Sequence, residues 1–217
     1  MHAWPLFELS IRTPRLVLRL PTDAELDLLA KRASGRVLPP EQMDFMRTGW
    51  TQLPSPEFER SFMQYHWRTR AAWTPDAWAL NLVAFADDEP IGGFGIEGEA
   101  FAERRTVTTG SWLLPDRRRR GFGIEGRAAL LALAFDGLGA HVALSAAHED
   151  NAGSLGVSAA LGYERTSVEE LTGPSGEAVR HVQVRLTRRR WETRARPLVE
   201  VEGLDACREL FDVAAAP

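Results

Sequence analysis

The sequence predicts an α/β domain in which a mixed sheet carries helices on both faces. Three observations point there. Several stretches alternate apolar and polar residues with the period of a strand. One stretch, Gly121 to Phe135, places Ile124, Ala128, Leu131, Ala132 and Phe135 at offsets 0, 4, 7, 8 and 11, a single helix face. The chain order is strands first, then helix, strand, helix and a closing hairpin.

Arg15 to Leu20 sets Leu16, Leu18 and Leu20 on one face and reads as a strand. Thr22 and Glu25 form a capping box for a helix whose buried stripe is Leu26, Leu29 and Ala30, stopped at Gly35. Residues 36–56 read as loop, broken by Pro39, Pro40, Pro54 and Pro56. Ser55-Pro56-Glu57 is a helix entry, with Ser55 as cap and Pro56 in the first turn. Trp78 to Phe85 and Ile91 to Glu97 read as a hairpin around Asp87-Asp88-Glu89-Pro90, and Thr106 to Leu114 as a strand closed by Pro115. Gly137 and Gly139 end the long helix. His141 to Ala146 is a short strand, and Ala152 to Leu161 a helix capped by Asn151 and stopped at Gly162. Tyr163 to Leu171 pairs with Val179 to Leu186. After Trp191 the tail holds an extended piece, Leu198 to Val201, and a short helix near Asp205 to Phe211.

Composition narrows the class. The 217 residues carry 26 Lys plus Arg against 30 Asp plus Glu, a net charge of −4, which argues against nucleic acid as a partner. At 44% hydrophobic and 26% charged the chain is neither disordered nor membrane-spanning, and no apolar run approaches the ~20 residues of a span. The single cysteine, Cys207, leaves no disulfide framework and no Cys-rich metal module, and no metal site is expected. The start of the chain lacks the basic and apolar blocks of a signal peptide, so a reducing cytoplasm is the expected compartment.

The most informative segment is Leu113-Leu114-Pro115-Asp116-Arg117-Arg118-Arg119-Arg120-Gly121-Phe122-Gly123-Ile124. A strand ends, an arginine-rich turn follows, and a long helix opens at two glycines. The first N–H groups of a helix lack internal partners, and the helix dipole makes that end positive. Glycine lets a ligand approach the backbone, and arginine adds charge and forked donors. The arrangement suits a phosphate or pyrophosphate. A solvated basic turn before an ordinary helix would look the same in isolation. A P-loop is excluded, because no lysine follows the glycines.

Arg118-Arg119-Arg120-Gly121-Phe122-Gly123 fits the pattern Gln/Arg-x-x-Gly-x-Gly/Ala. Downstream stand Asn151-Ala152-Gly153-Ser154 and Leu161-Gly162-Tyr163-Glu164, and the chain opens with Arg12-Thr13-Pro14-Arg15-Leu16-Val17-Leu18-Arg19. In this order and spacing, over roughly residues 11–190, the sequence resembles the GNAT superfamily of CoA-dependent N-acyltransferases, in its RimJ/RimL-type branch. The resemblance implies a mixed, mostly antiparallel central sheet, splayed between its fourth and fifth strands and flanked by helices on both faces. It implies acetyl-CoA or another acyl-CoA as donor, and a primary amine as acceptor: a protein N-terminus or a small α-amine. Transfer would be by direct attack in a ternary complex. A succinyl-CoA or other acyl-CoA transferase of the same fold, or a catalytically silent CoA-binding sensor, stays open as an alternative. No nucleic acid or membrane partner is implied, and a homodimer is left open.

The resemblance also assigns residues. Leu113 and Leu114 would hold the thioester through their backbone N–H groups. Arg118, Arg119, Arg120, Gly121, Phe122, Gly123 and Ile124 would form the pyrophosphate turn. Asn151 would contact the cofactor arm, and Ser154 would face the departing sulfur as proton donor. The position seven residues after Asn151, where many relatives carry a catalytic Tyr, is Ser158. Glu169 is the carboxylate assigned to the acceptor side. The domain would span residues 1–190, with an aromatic acceptor-side insert at 36–78. Residues 191–217 would form an extension packed on it.

Overall fold

A computed structural model describes residues 3–213. In chain order its regular elements are β1 (Ser10–Arg12), β2 (Val17–Arg19), α1 (Asp23–Ala33), α2 (Glu57–Ala71), β3 (Ala77–Ala86), β4 (Glu89–Glu99) and α3 (Phe101–Arg104). There follow β5 (Thr106–Leu113), α4 (Phe122–Ala132), β6 (Val142–His148), α5 (Ala152–Leu161), β7 (Glu164–Thr172), β8 (Ala178–Thr187), α6 (Arg188–Glu192) and β9 (Glu200–Glu202). The strands form one sheet in the order β7-β8-β6-β5-β4-β3-β2-β1-β9. Every neighbouring pair is antiparallel except β5 and β6.

Local chemistry sets most boundaries as the sequence predicts. Thr22 and Glu25 close a complete capping box on α1. The β3–β4 hairpin turns on Asp87 and Asp88, both in the left-handed region at φ 51° and 61°, as a tight two-residue turn demands. Asn151 Oδ1 accepts the Ser154 N–H and caps α5. Ser55, by contrast, does not cap α2: Pro56 stands at the boundary, and the Phe58 N–H donates to the Pro54 carbonyl instead. Residues 36–56 are not all loop. Pro40–Phe45 and Gly49–Gln52 are 3₁₀ turns. The long helix also ends differently. Its last turn, Leu133–Gly137, widens into a π-helix, and Arg188 Nη2 donates to the carbonyl of Phe135.

The sheet has a core on each face. Leu80, Leu82, Phe94 and Ile96 pack under α4 together with Trp191, Leu204, Cys207 and Phe211, so the tail shares the main core. Val83, Phe85 and Trp112 pack under α1, α2 and Trp50. The aromatics of residues 36–78 mostly serve these cores. Trp50 and Phe62 stack on or lean against Phe58 and one another, and Trp112 meets Trp50 and Phe62 edge-on, at centroid distances of 5.6 to 6.1 Å. Trp73 stacks on Trp78 and meets Phe211 edge-on. Tyr65 and Trp67 are left exposed.

Gly126 shows how closely α4 lies on the sheet. A Cβ there would stand 2.4 Å from the ring of Phe94, which is 1% exposed. Alanine gains ~1 kcal/mol of helix propensity over glycine, but overpacking a filled core costs ~1–3 kcal/mol. Gly126→Ala is therefore expected to lower stability by ~1 kcal/mol, read as a lower urea midpoint at unchanged slope.

His66, on α2, is 5% exposed. Burial, and secondarily Arg70, holds its imidazole down to about 4. The unfolded chain takes up that proton near 6.5, whereas the fold resists it. Stability is therefore full above pH 6.5 and falls as pH drops from 6.5 to 4, by at most ~3 kcal/mol. Thermal melts across that window should show the slope, and His66→Phe should flatten it.

Candidate active site

The parallel pair β5 and β6 is joined over three residues only, Thr106 to Thr108 against Val142 to Leu144. Beyond them β5 stays with β4 as far as Leu113, and β6 stays with β8 as far as His148. The strands diverge, and a fork opens between them. Antiparallel pairing alternates, so the Leu114 N–H bond to the Ile91 carbonyl fixes which β5 groups face β4. Trp112 and Gly110 face β4. Leu113, Ser111 and Thr109 turn their backbone groups into the fork.

At the closed end of the fork the polar groups are bonded to one another. The Thr109 carbonyl accepts from Ser145 Oγ at 2.8 Å and from Arg127 Nη1 at 3.3 Å. Thr109 Oγ1 meets the Tyr163 hydroxyl at 2.9 Å. At the open end lies the arginine-rich turn. Gly121 has φ +84° and Arg119 φ 60°, and α4 then begins with the Glu125 N–H donating to the Gly121 carbonyl. The N–H groups of Phe122, Gly123 and Ile124 thus have no preceding helical turn to donate to. Arg119 and Arg120 are exposed. Arg15 braces the turn: it donates to the Arg120 carbonyl, stacks on Phe122 at 4.7 Å, and pairs with Glu125 at 2.5 Å.

On the opposite face of the sheet, towards α2, stands a polar cluster. Glu97 stands opposite Thr108 and Ala79, with Asn81 and Gly95 the next pair on the same face. The Tyr65 hydroxyl donates to Asn81 Oδ1 at 3.3 Å, and Asn81 Nδ2 is buried without a partner. Glu97 is solvent-accessible, yet burial raises its carboxyl above the ordinary range. Both hold at once when an accessible group is surrounded by protein. The same is true of Tyr65, 43% exposed, whose hydroxyl is raised by burial and then by the Glu97 charge. The Trp112 ring covers Gly93 and the Asn81 amide bounds Gly95, whereas Gly110 has open space above it.

A family model described as an acetyltransferase (GNAT) domain matches residues 15–164. The chain belongs to the GNAT family. Its fold recurs in RimJ of Mycobacterium smegmatis, solved with CoA-disulfide, at 16% identity and a TM-score of 0.66 over 88% of this chain and 92% of that one. It recurs in RimL, the ribosomal L7/L12 α-N-protein acetyltransferase in complex with coenzyme A, at 13% identity and 0.64 over 81% and 95%. A GNAT acetyltransferase of Bacillus anthracis matches at 13% identity and 0.65 over 83% and 99%. The protein is an N-acetyltransferase using acetyl-CoA, and the fork is the GNAT splay predicted between the fourth and fifth strands. It falls between β5 and β6 because Ser10–Arg12 forms a strand of its own.

The residues present fit CoA. The glycine turn leaves helix N–H groups free, as a pyrophosphate would require, and the β5 edge has unpaired backbone, as an extended arm would require. Two sequence assignments change. Leu114 cannot offer its N–H to the thioester, because Ile91 already takes it. Arg118 does not face the turn's mouth: its guanidinium is folded inward, donating to the Leu113 and Val37 carbonyls, and burial lowers its pKa. Leu113 keeps its N–H in the fork. Ser154 stands on the first turn of α5, and its hydroxyl makes no hydrogen bond among the described residues. Glu169 lies on the edge strand β7, tied to Arg47 at 2.9 Å and to Gln183 at 2.8 Å. It stands two strands, ~10 Å, from β6.

Sequence reasoning missed Glu97, Asn81, Tyr163, Arg127 and Arg15. The one local signal was Gly93-Phe94-Gly95-Ile96-Glu97, an acid that shares its strand face with two glycines.

Proposed function

We propose that the enzyme acetylates a primary α-amine, of a protein N-terminus or a small molecule, by direct attack in a ternary complex, with Glu97 as general base. The observation that carries this is the place of Glu97, a carboxylate with raised affinity for protons on the α2 face of the sheet, next to the open backbone at Gly110. An amine entering there reaches the fork from the side opposite α4. Glu97 takes the ammonium proton, the nitrogen bonds to the acyl carbon, and the sulfur leaves as thiolate. The Leu113 and Ser111 N–H groups support the thioester and its developing oxyanion, a role worth ~3 kcal/mol per donor. Asn151 steadies the arm, and the Ser154 hydroxyl relays the second proton of the attacking nitrogen to the thiolate.

Glu169 is given a structural role, holding Arg47 of the insert. A single carboxylate favours an amine that is already partly neutral. An α-amine with pKa near ~8 is about a tenth neutral at pH 7, a lysine near ~10.4 far less.

Cys207 takes no part. It is buried in the tail core, donates to the Gly203 carbonyl at 3.3 Å, and burial pushes its thiol up to about 11. Cys207→Ala should keep most of the activity. A turning-over acyl-enzyme trapped by mass spectrometry would contradict direct transfer. The function itself is tested by a thiol-release screen crossing acyl-CoA donors with amines and N-terminal peptides. Release with α-amines supports the reading. CoA binding without release for any amine would favour the silent sensor.

A further inference from the structure

Arg127 lies in the middle of α4, is 2% exposed, and reaches to the closed end of the fork. Its partners are all neutral oxygens. Nη1 donates to the Thr109 carbonyl, to Thr109 Oγ1 at 2.9 Å and to Ser145 Oγ at 3.0 Å; Nη2 reaches Ser111 Oγ at 3.3 Å. Nε is buried with no partner at all. No carboxylate of the described residues neutralises the charge. A buried cation without an anion is costly, and proteins retain one where something pairs with it.

The distribution of donors says what that something is. Nη1 is fully used, bridging Thr109 of β5 and Ser145 of β6. Nε and Nη2 form the side-on edge of the guanidinium, the edge whose two parallel N–H groups match the two oxygens of a carboxylate. That edge holds one long bond to a serine hydroxyl and one empty donor. Ser111 stands beside it on the same strand.

The direction of the donor follows from the assignment of the arginine-rich turn and β5 to CoA, on which this inference rests. An arm anchored at the turn runs along β5 from Leu113 towards Thr109, so its acyl end points to the closed end of the fork. We propose that the fork takes, besides acetyl-CoA, a CoA thioester of a short dicarboxylic acid, and that Arg127 holds the acyl chain's terminal carboxylate. The chemistry of transfer is unaltered. The N–C bond forms and the C–S bond breaks, one proton of the ammonium goes to Glu97, and the second proton lost by the nitrogen reaches the thiolate to give free CoA. The distal carboxylate stays ionised throughout.

Calorimetry with CoA, acetyl-CoA and succinyl-CoA tests this without knowing the acceptor. Succinyl-CoA is expected to bind the wild-type enzyme at least tenfold tighter than acetyl-CoA. In Arg127→Met, of similar length and no charge, that ratio should fall to near one. In Arg127→Lys, which keeps the charge without the two-donor edge, it should be intermediate. Equal binding of the two thioesters by the wild type overturns the inference while leaving the transferase reading intact. Should Arg127→Met fail to fold, the wild-type ratio alone decides. Failure of all three ligands to bind overturns both.

Discussion

Glu97→Gln lowers kcat for amine acetylation by ~10²- to 10⁴-fold, the range for loss of a general base, and leaves CoA affinity essentially unchanged. The substitution keeps the shape of the side chain and removes only its capacity to accept a proton. Because the group acts in the transition state, kcat and kcat/KM should fall together. The pH profile separates this role from a structural one. Burial raises the Glu97 carboxyl, so the wild-type acidic limb of kcat/KM should lie above the ordinary glutamate range, with activity falling as pH drops through it. In Glu97→Gln that limb should vanish from the residual activity. Glu169→Gln should change kcat little, since its carboxylate is already engaged by Arg47 and Gln183. The reverse pattern would return the base to Glu169.

Gly123→Val should weaken CoA binding at least tenfold, ~1.4 kcal/mol. The glycine sits in the first turn of α4, where the backbone must be approached closely. Its missing Cβ would point between Val157 Cγ2 at 3.3 Å and Leu113 Cδ1 at 3.8 Å, so a branched side chain also presses α5 away from α4. Melting must therefore be followed alongside binding. Arg119→Ala and Arg120→Ala supply the cleaner comparison. Both side chains are exposed, and their loss removes charge without disturbing packing. Each should weaken CoA binding several-fold at low salt and less at high salt, as screened exposed charges do. Unchanged affinity in all three variants would remove the turn from the donor site.

Much of this architecture is legible along the chain. The α1 capping box, the Asn151 cap, the Asp87-Asp88 turn and the apolar face of α4 are local, and each is written within a few residues. So is the Arg118–Gly123 turn. What the sequence hides is decided at long range. β1 and β9 are three residues each, too short for a period to show, and they pair across the length of the chain. Glu97 reads as one acid in a hairpin until α2 places Tyr65 over Asn81 beside it. Arg127 reads as a polar residue of an amphipathic helix until the divergence of β5 and β6 gives its guanidinium somewhere to go. Arg118 illustrates the opposite error. The motif marks the position, but the Leu113 and Val37 carbonyls, not the ligand, occupy its side chain. Leu114 fails for a parity reason: neighbouring residues of a strand point their N–H groups to opposite sides, and only one of Leu113 and Leu114 can face the fork.

The central claim is that the donor's arm lies along the open edge of β5, and amide hydrogen exchange tests it most directly. In the free enzyme the N–H groups of Ser111 and Leu113 face the fork, whereas those of Gly110 and Trp112 are held by β4. Adding acetyl-CoA should slow exchange at Ser111 and Leu113 and at the opening of α4, Phe122 to Ile124, with Gly110 and Trp112 little changed. Protection elsewhere on the protein, with Ser111 and Leu113 exchanging as before, would contradict the account.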